Sequence, residues 1–88
     1  MITKSIEIKL ARGLEARPVA ELVQLASKFD STLHIEAQSK KVNAKSIMGM
    51  MTLNLTTGEQ VTVIAEGDDE AQAVSDLENF LKGTKSPL

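Results

Sequence analysis

The chain has 88 residues, of which 42% are apolar and 25% charged, and it carries a formal net charge of −2 without any cysteine. This balance is typical of one small globular domain over residues 1–88, excludes disulfides and thiolate metal sites, and argues against direct nucleic-acid binding. Because no apolar stretch is long enough for a membrane span and no basic-plus-apolar leader opens the sequence, we expect a soluble cytoplasmic protein.

The first two predicted elements are a strand and a helix. Apolar and polar side chains alternate over residues 4–10, which predicts a strand with one buried face. That face would consist of Ile6, Ile8 and Leu10. From Ala16 to about Lys28 the apolar period is that of an amphipathic helix, and Pro18 fits its first turn because the missing N–H costs nothing there. The apolar stripe of this helix consists of Val19, Leu22, Val23 and Ala26.

Two strands and a short helix are predicted next. Residues 33–38 alternate again and predict a second strand, and a tight connection at Ser39 and Lys40 leads to a short third strand over 41–43. Ser46 then precedes an apolar run that ends at Met51, which predicts a short helix with Ser46 as its N-cap.

The last two elements are a fourth strand and a third helix. A turn precedes a β-branched strand over 61–66. Asp68 or Asp69 is expected to cap the final helix, and Gln72 follows Asp69 at the spacing of a capping box. The buried stripe of this helix would consist of Ala73, Val74, Leu77, Phe80 and Leu81.

The element order is therefore β-α-β-β-α-β-α, followed by a patternless tail over 84–88 that we expect to be frayed. Half-buried strands combined with amphipathic helices predict an α+β fold with the helices in one layer. We expect an open-faced sandwich, in which a four-stranded antiparallel sheet is covered on one face by three helices.

Two short motifs place a polar side chain at the start of a helix. The first is Gly13-Leu14-Glu15-Ala16-Arg17-Pro18, and the second runs from Val42 to Met51 around Ser46. A helix N-terminus has unpaired N–H groups and a partial positive charge, so it favours a carboxylate or a phosphate. On spacing alone, helix capping is the simplest explanation of both Glu15 and Ser46.

The chain up to about Lys82 resembles the HPr family, the small phosphocarriers of the bacterial sugar phosphotransferase system. The motif around Glu15 resembles the family's active-site signature Gly-[Ile/Leu]-His-Ala-Arg-Pro, and the motif around Ser46 resembles the regulatory-serine region of its Gram-positive branch. Gly67-Asp68-Asp69-Glu70 opens the last helix as in relatives. The order of elements also fits this family.

One position departs from the carrier pattern. In the carriers the histidine of the first motif accepts phosphate that comes from phosphoenolpyruvate through Enzyme I, whereas this chain has Glu15 there. A carboxylate is already ionised and repels the incoming phosphoryl donor, so we expect no phosphate transfer through Glu15. A branch of the family also lacks the histidine but commonly carries glutamine, so Glu15 is either a cap or a weak charge mimic. The single histidine, His34, falls on the polar phase of the second strand and is expected to face solvent.

The resemblance implies a non-enzymatic regulatory role for the second motif. It implies that HPr kinase/phosphorylase phosphorylates Ser46 with ATP, and that the phosphoprotein acts as corepressor of CcpA, a LacI-type regulator of carbon catabolite repression. Arg17 matches the family's phosphate-site arginine and would pair with an acidic residue of the partner or with Glu15. The other implied partner contacts are Ala20, Val23, Ile47, Met48 and Met51.

Several alternatives stay open. The methionines near Ser46 could instead fill the core, which we expect for Met50. A loose basic run near Ser46 consists of Lys40, Lys41 and Lys45. A solvated strand edge is the simpler interpretation of this run, and a docking site for the kinase is the alternative. The same surface would serve a phosphorylation-dependent modulator of a metabolic enzyme, or a residual phosphocarrier.

The sequence contains no metal cluster, catalytic triad or nucleotide loop. We therefore expect no catalytic residue, no metal and no cofactor. The oligomeric state stays open between a monomer and a homodimer formed by exchange of the first strand.

Overall fold

Strands and helices follow one another along the chain in the predicted order β-α-β-β-α-β-α. The computed structural model describes residues 1–9, 16–53 and 55–83. The strands are β1 (Ile2–Glu7), β2 (Thr32–Ala37), β3 (Lys40–Asn43) and β4 (Gln60–Glu66). The helices are α1 (Ala16–Ala26), α2 (Ile47–Met51) and α3 (Glu70–Leu81).

The four strands form one antiparallel sheet in the order β1-β4-β2-β3. In this sheet Ile6 of β1 lies opposite Val61 of β4, and Val63 of β4 lies opposite Ile35 of β2. Because successive side chains of a strand point to opposite faces, the apolar residues gather on one face. The buried strand residues of that face are Ile6, Leu33, Ile35, Ala37, Val61, Val63 and Ala65.

The helices cover this apolar face. Buried side chains of α1 and α3 join the apolar strand residues in one core, to which α2 adds Met50. The helical part of the core consists of Val19, Leu22, Val23, Ala26, Met50, Ala73, Val74, Leu77 and Leu81. Phe29 and Phe80 are half-buried and pack against it. The predicted α+β sandwich is confirmed.

The opposite face of the sheet carries mainly polar side chains. His34 lies on it, with Asn43 of β3 on one side and Ile64 of β4 on the other. His34 was expected to face solvent, but these cross-strand neighbours leave it half-buried.

The hairpin between β2 and β3 turns one residue earlier than predicted. Gln38 and Ser39 have positive φ angles of 53° and 67°. Positive φ at both central residues of a two-residue loop matches the twist of the strands, and Lys40 therefore already pairs with Ala37. The turn carries neither asparagine nor glycine, the residues by which such turns are usually found in a sequence.

Asp69 connects the start of α3 to the loop between α1 and β2. It occupies the N-cap position, but its side chain makes no capping hydrogen bond. One carboxylate oxygen accepts the N–H of Asp30 at 2.8 Å, and the other accepts the N–H of Ser31 at 2.9 Å together with the Ser31 hydroxyl. These bonds hold the pKa of Asp69 below its ordinary value, with the Ser31 hydroxyl as the largest cause.

The predicted capping box at α3 is wrong. Gln72 donates to Asp76 one turn further along the helix, at 2.8 Å, instead of reaching back to Asp69. Glu70 makes the reach-back bond, since its carboxylate accepts the N–H of Gly67 at 2.9 Å. The box fails because the Asp69 carboxylate is already occupied by the neighbouring loop.

The ends of β1 and α1 differ slightly from their predicted bounds. Ile8 extends the pairing of β1 by donating its N–H to Glu59 O at 2.9 Å, while the predicted end at Leu10 lies outside the described residues. Ser27 and Lys28 form a turn after α1. Among the described residues, no helix combines the length and the apolar character needed to cross a membrane.

Candidate functional site

Ser46 is the N-cap of α2, as predicted. Its backbone is extended, with φ −109° and ψ 114°, and its Oγ accepts the N–H of Gly49 at 3.2 Å. Its carbonyl accepts the N–H of Met50 at 3.0 Å. The residue is half-buried, and one helix N–H already points to its hydroxyl.

The turn before Ser46 is fixed by two contacts that were not predicted from the sequence. Asn43 Oδ1 accepts the N–H of Lys45 at 2.8 Å, a bond that asparagine commonly makes two residues on. Lys45 Nζ donates to the carbonyl of Phe29, just beyond α1, at 2.7 Å. The asparagine is a usable sequence signal, whereas nothing in the sequence points to the lysine contact across sixteen positions.

The helix α2 has one buried and several exposed apolar side chains. Met50 is fully buried, as expected. Ile47, Met48 and Met51, called here the α2 surface, are 48%, 83% and 53% exposed. Met48 and Met51 are three positions apart and therefore lie on one side of the helix. A short helix packed on one side against α1 and β3 leaves the other side open.

The predicted contact residues of α1 lie in different environments. Ala20 is half-buried, and α1 packs against α2. Val23 is only 7% exposed and belongs to the core, which corrects the expectation that it offers contact area to a partner. The sequence also placed Val23 in the apolar stripe of α1, and this position explains why its side chain is buried. Arg17 lies in the first turn of α1, and Glu15 is outside the described residues.

Two of the three lysines near Ser46 have defined partners. Lys45 is held by Phe29 O, and Lys40 Nζ approaches the carbonyl of Thr52, beyond α2, at 3.4 Å. Both lysines therefore satisfy carbonyls that follow helices, where positive charge is favourable. Lys41 is exposed on the edge strand β3. The basic run is partly structural rather than only a solvated edge.

The chemistry available at this site is that of a serine hydroxyl on a half-buried residue beside an exposed apolar helix face. A phosphate ester at Ser46 Oγ could accept the Gly49 N–H that the hydroxyl now accepts. Among the described residues, no group of three or more histidine, aspartate or glutamate side chains is placed to hold a metal ion.

Comparison with known proteins relates the chain to one family. The family described as "PTS HPr component phosphorylation site" matches residues 2–83. The HPr-like protein Crh of Halalkalibacterium halodurans is 49% identical over 82 residues, which cover 93% of this chain and 98% of that protein.

Two solved structures share the fold. The phosphocarrier protein HPr of Bacillus anthracis has a TM-score of 0.89 and 41% identity, over 91% of this chain and 95% of that one. The catabolite repression protein Crh of Bacillus subtilis has a TM-score of 0.78 and 44% identity, over 98% and 99%, and that protein is described as a domain-swapped, intertwined dimer.

Proposed function

Because this chain belongs to the HPr family of the phosphotransferase system, we propose that it is a non-enzymatic regulatory phosphoprotein of carbon catabolite repression. HPr kinase/phosphorylase transfers a phosphoryl group from ATP to Ser46, and the phosphoprotein binds a CcpA-type repressor as its corepressor. The observation that carries this proposal is the position of Ser46, a half-buried N-cap hydroxyl next to the exposed α2 surface.

Local electrostatics support a switch at Ser46. A phosphoserine adds a charge of about −1.5 to −2 and three acceptor oxygens. The Gly49 N–H already points at Ser46 Oγ, so the phosphate gains a donor without rearrangement of the backbone. The negative charge of the phosphate then lies directly beside the α2 surface. A partner binds the phosphate with a cationic side chain and the α2 surface with an apolar recess.

The first motif supports regulation rather than phosphate transfer. Glu15 stands where the carriers have their histidine, and a carboxylate is a poor acceptor for a transferable phosphoryl group. Arg17, freed from a phosphohistidine, is proposed to pair with an acidic group of the repressor. The protein acts in the cytoplasm, as a monomer or as a homodimer that exchanges its edge strand β1.

Phosphorylation from two donors tests the proposal. The protein is incubated with HPr kinase and ATP, and separately with Enzyme I and phosphoenolpyruvate, and the intact mass and the modified residue are recorded. We expect one phosphoryl group on Ser46 from the kinase and none from Enzyme I. Phosphate from Enzyme I would mean a carrier, and none from the kinase would contradict the switch.

The variant Ser46→Ala tests the consequence for the repressor. We expect unchanged folding, since the lost cap costs only about 1 kcal/mol, together with the loss of kinase-dependent repressor binding. Ser75→Ala, on the exposed side of α3, is the matched control and should bind like the wild type. Surface plasmon resonance with immobilised repressor measures both variants after kinase treatment. Undiminished binding by Ser46→Ala would overturn the proposal.

A further inference from the structure

We propose that Met48 and Met51 form an oxidation-sensitive site, at which a peroxide-class oxidant converts two exposed thioethers to sulfoxides and removes the apolar character of the α2 surface. The effect on repressor binding rests on the function proposed above. The oxidation itself depends only on the exposure and chemistry of these side chains.

Composition makes the thioethers the main target of such oxidants. The chain has four methionines and no cysteine, tryptophan or tyrosine. With no thiolate to react first, an oxidant that transfers an oxygen atom acts mainly on methionine sulfur. Three of the four methionines lie within four consecutive positions of α2.

Exposure separates these three methionines. Met48 is 83% exposed and Met51 is 53% exposed, whereas Met50 is fully buried between them in the same helix. Susceptibility to oxidation follows access of the oxidant to the sulfur. Oxidation should therefore reach Met48 first, then Met51, and spare Met50 while the protein stays folded. Met1, 74% exposed, is oxidised as well but lies outside the α2 surface.

The reaction is balanced with hydrogen peroxide as the oxidant. A lone pair of the methionine sulfur attacks one peroxide oxygen, so that an S–O bond forms while the O–O bond breaks. The sulfur loses two electrons and the peroxide is reduced, with its second oxygen leaving as water after proton transfer. Methionine sulfoxide reductases reverse the change.

The sulfoxide changes what the α2 surface can bind. A flexible apolar side chain becomes polar, and burying its oxygen in an apolar recess costs free energy unless a donor is present. Only Ile47, the third member of the α2 surface, cannot be oxidised in this way. Phosphorylation of Ser46 would then strengthen repressor binding at this short helix, whereas oxidation of Met48 and Met51 would weaken it.

The first arm of the test needs no partner. Folded wild-type protein is treated with hydrogen peroxide, and peptide mass mapping follows the sulfoxide at each methionine over time. We expect the order Met48, Met51, Met50, and comparable rates for all three in denaturant. Retention on a phenyl column should fall much further on oxidation in the wild type than in Met48→Leu/Met51→Leu, in which the sulfoxide formed at Met1 is the internal control. Equal rates for Met48 and Met50 in the folded protein would overturn the proposal.

The second arm measures repressor binding by Ser46-phosphorylated protein before and after oxidation. We expect about tenfold weaker binding or more for the wild type, recovery after treatment with sulfoxide reductases, and no loss for the double leucine variant. Met50→Leu is the matched control and should lose binding like the wild type. Unchanged binding by oxidised wild-type protein would overturn the proposed effect. Absent binding before oxidation, with the first arm as expected, would count against the proposed function and leave the oxidation site standing.

Discussion

Gly67 sets how closely the start of α3 approaches the loop after α1. Its φ is 153°, and a Cβ added there would lie 2.6 Å from Ser31 Oγ and 2.7 Å from Ser31 Cα. Ser31 is itself buried, and its backbone and hydroxyl are bound to Asp69. The neighbour therefore cannot move away, and only glycine satisfies both the backbone angle and the packing.

Replacing Gly67 by alanine should destabilise the protein strongly. We expect Gly67→Ala to lower the free energy of unfolding by at least about 3 kcal/mol, because backbone strain and overpacking add. Gly58→Ala is the control, since Gly58 has a φ of 96° but nothing within 4 Å of an added Cβ. It should cost about 1–2 kcal/mol from strain alone. Urea denaturation measures both, and equal losses would contradict the close approach.

Asp69 should make stability depend on acid pH. Bonds from the Ser31 hydroxyl and the Asp30 N–H lower the folded-state pKa of Asp69. The contribution of the Asp69 carboxylate to the free energy of unfolding is therefore fully present above its unfolded-state pKa. This contribution is lost as the pH falls through the folded-state pKa. We expect Asp69→Asn to be less stable than the wild type at neutral pH, and the difference to shrink toward acid. Urea denaturation across this pH range, with Asp68→Asn as the exposed control, tests it. A pH-independent difference would contradict this role.

At the scale of elements, α2 is a short helix that depends on one buried side chain. Five residues are too few for a helix to be stable alone, so packing must hold it. Met50 supplies the buried contact from within the helix, while Lys45 fixes the preceding turn. The exposed residues are thereby held in position without contributing to the core.

Truncation of single methionines should separate these roles. We expect Met50→Ala to lower the free energy of unfolding by about 2–4 kcal/mol, because it leaves a cavity in the core. Met48→Ala should change it by less than about 0.5 kcal/mol, because that side chain is exposed. Thermal and urea unfolding measure the difference. A large loss for Met48→Ala would mean that the α2 surface is structural.

The sequence predicted the elements better than the contacts between them. Alternation and helical period depend on neighbouring residues, and they located the strands and helices of the described residues with shifts of a few residues at the ends. The Ser46 cap and the buried Met50 followed from the same local patterns. The hydrogen bonds of Asp69 with Ser31 and of Lys45 with Phe29 join residues that are distant in sequence. A pattern of neighbouring residues cannot predict such contacts. Val23 shows the same limit, since its position fitted both a core stripe and a contact surface.

At the scale of the whole molecule, the chain has the fold of a solved phosphocarrier, and we propose that Glu15 stands at the position of the carriers' histidine. We expect Glu15→His to accept phosphate from phosphoenolpyruvate and Enzyme I at least partly, because the substituted position restores an imidazole nucleophile in the family motif. Phosphate incorporation measured by intact mass, with Glu21→His on the exposed side of α1 as control, tests this. An inert Glu15→His would mean that the Enzyme I contact surface has diverged as well.

The strand order also bears on how fast the chain can fold. β4 lies between β1 and β2, and Ile2 pairs with Ala65 although most of the chain separates them. Within the part of the chain that the structure describes, only the β2–β3 hairpin joins strands that are adjacent in sequence. Each remaining strand pairing closes a long loop. The chain therefore loses the conformational entropy of that loop before the contacts between the paired strands stabilise it. The same arrangement that leaves β1 at an edge thus gives this small protein a higher contact order than a helical bundle of equal length, and we expect it to fold more slowly than such a bundle.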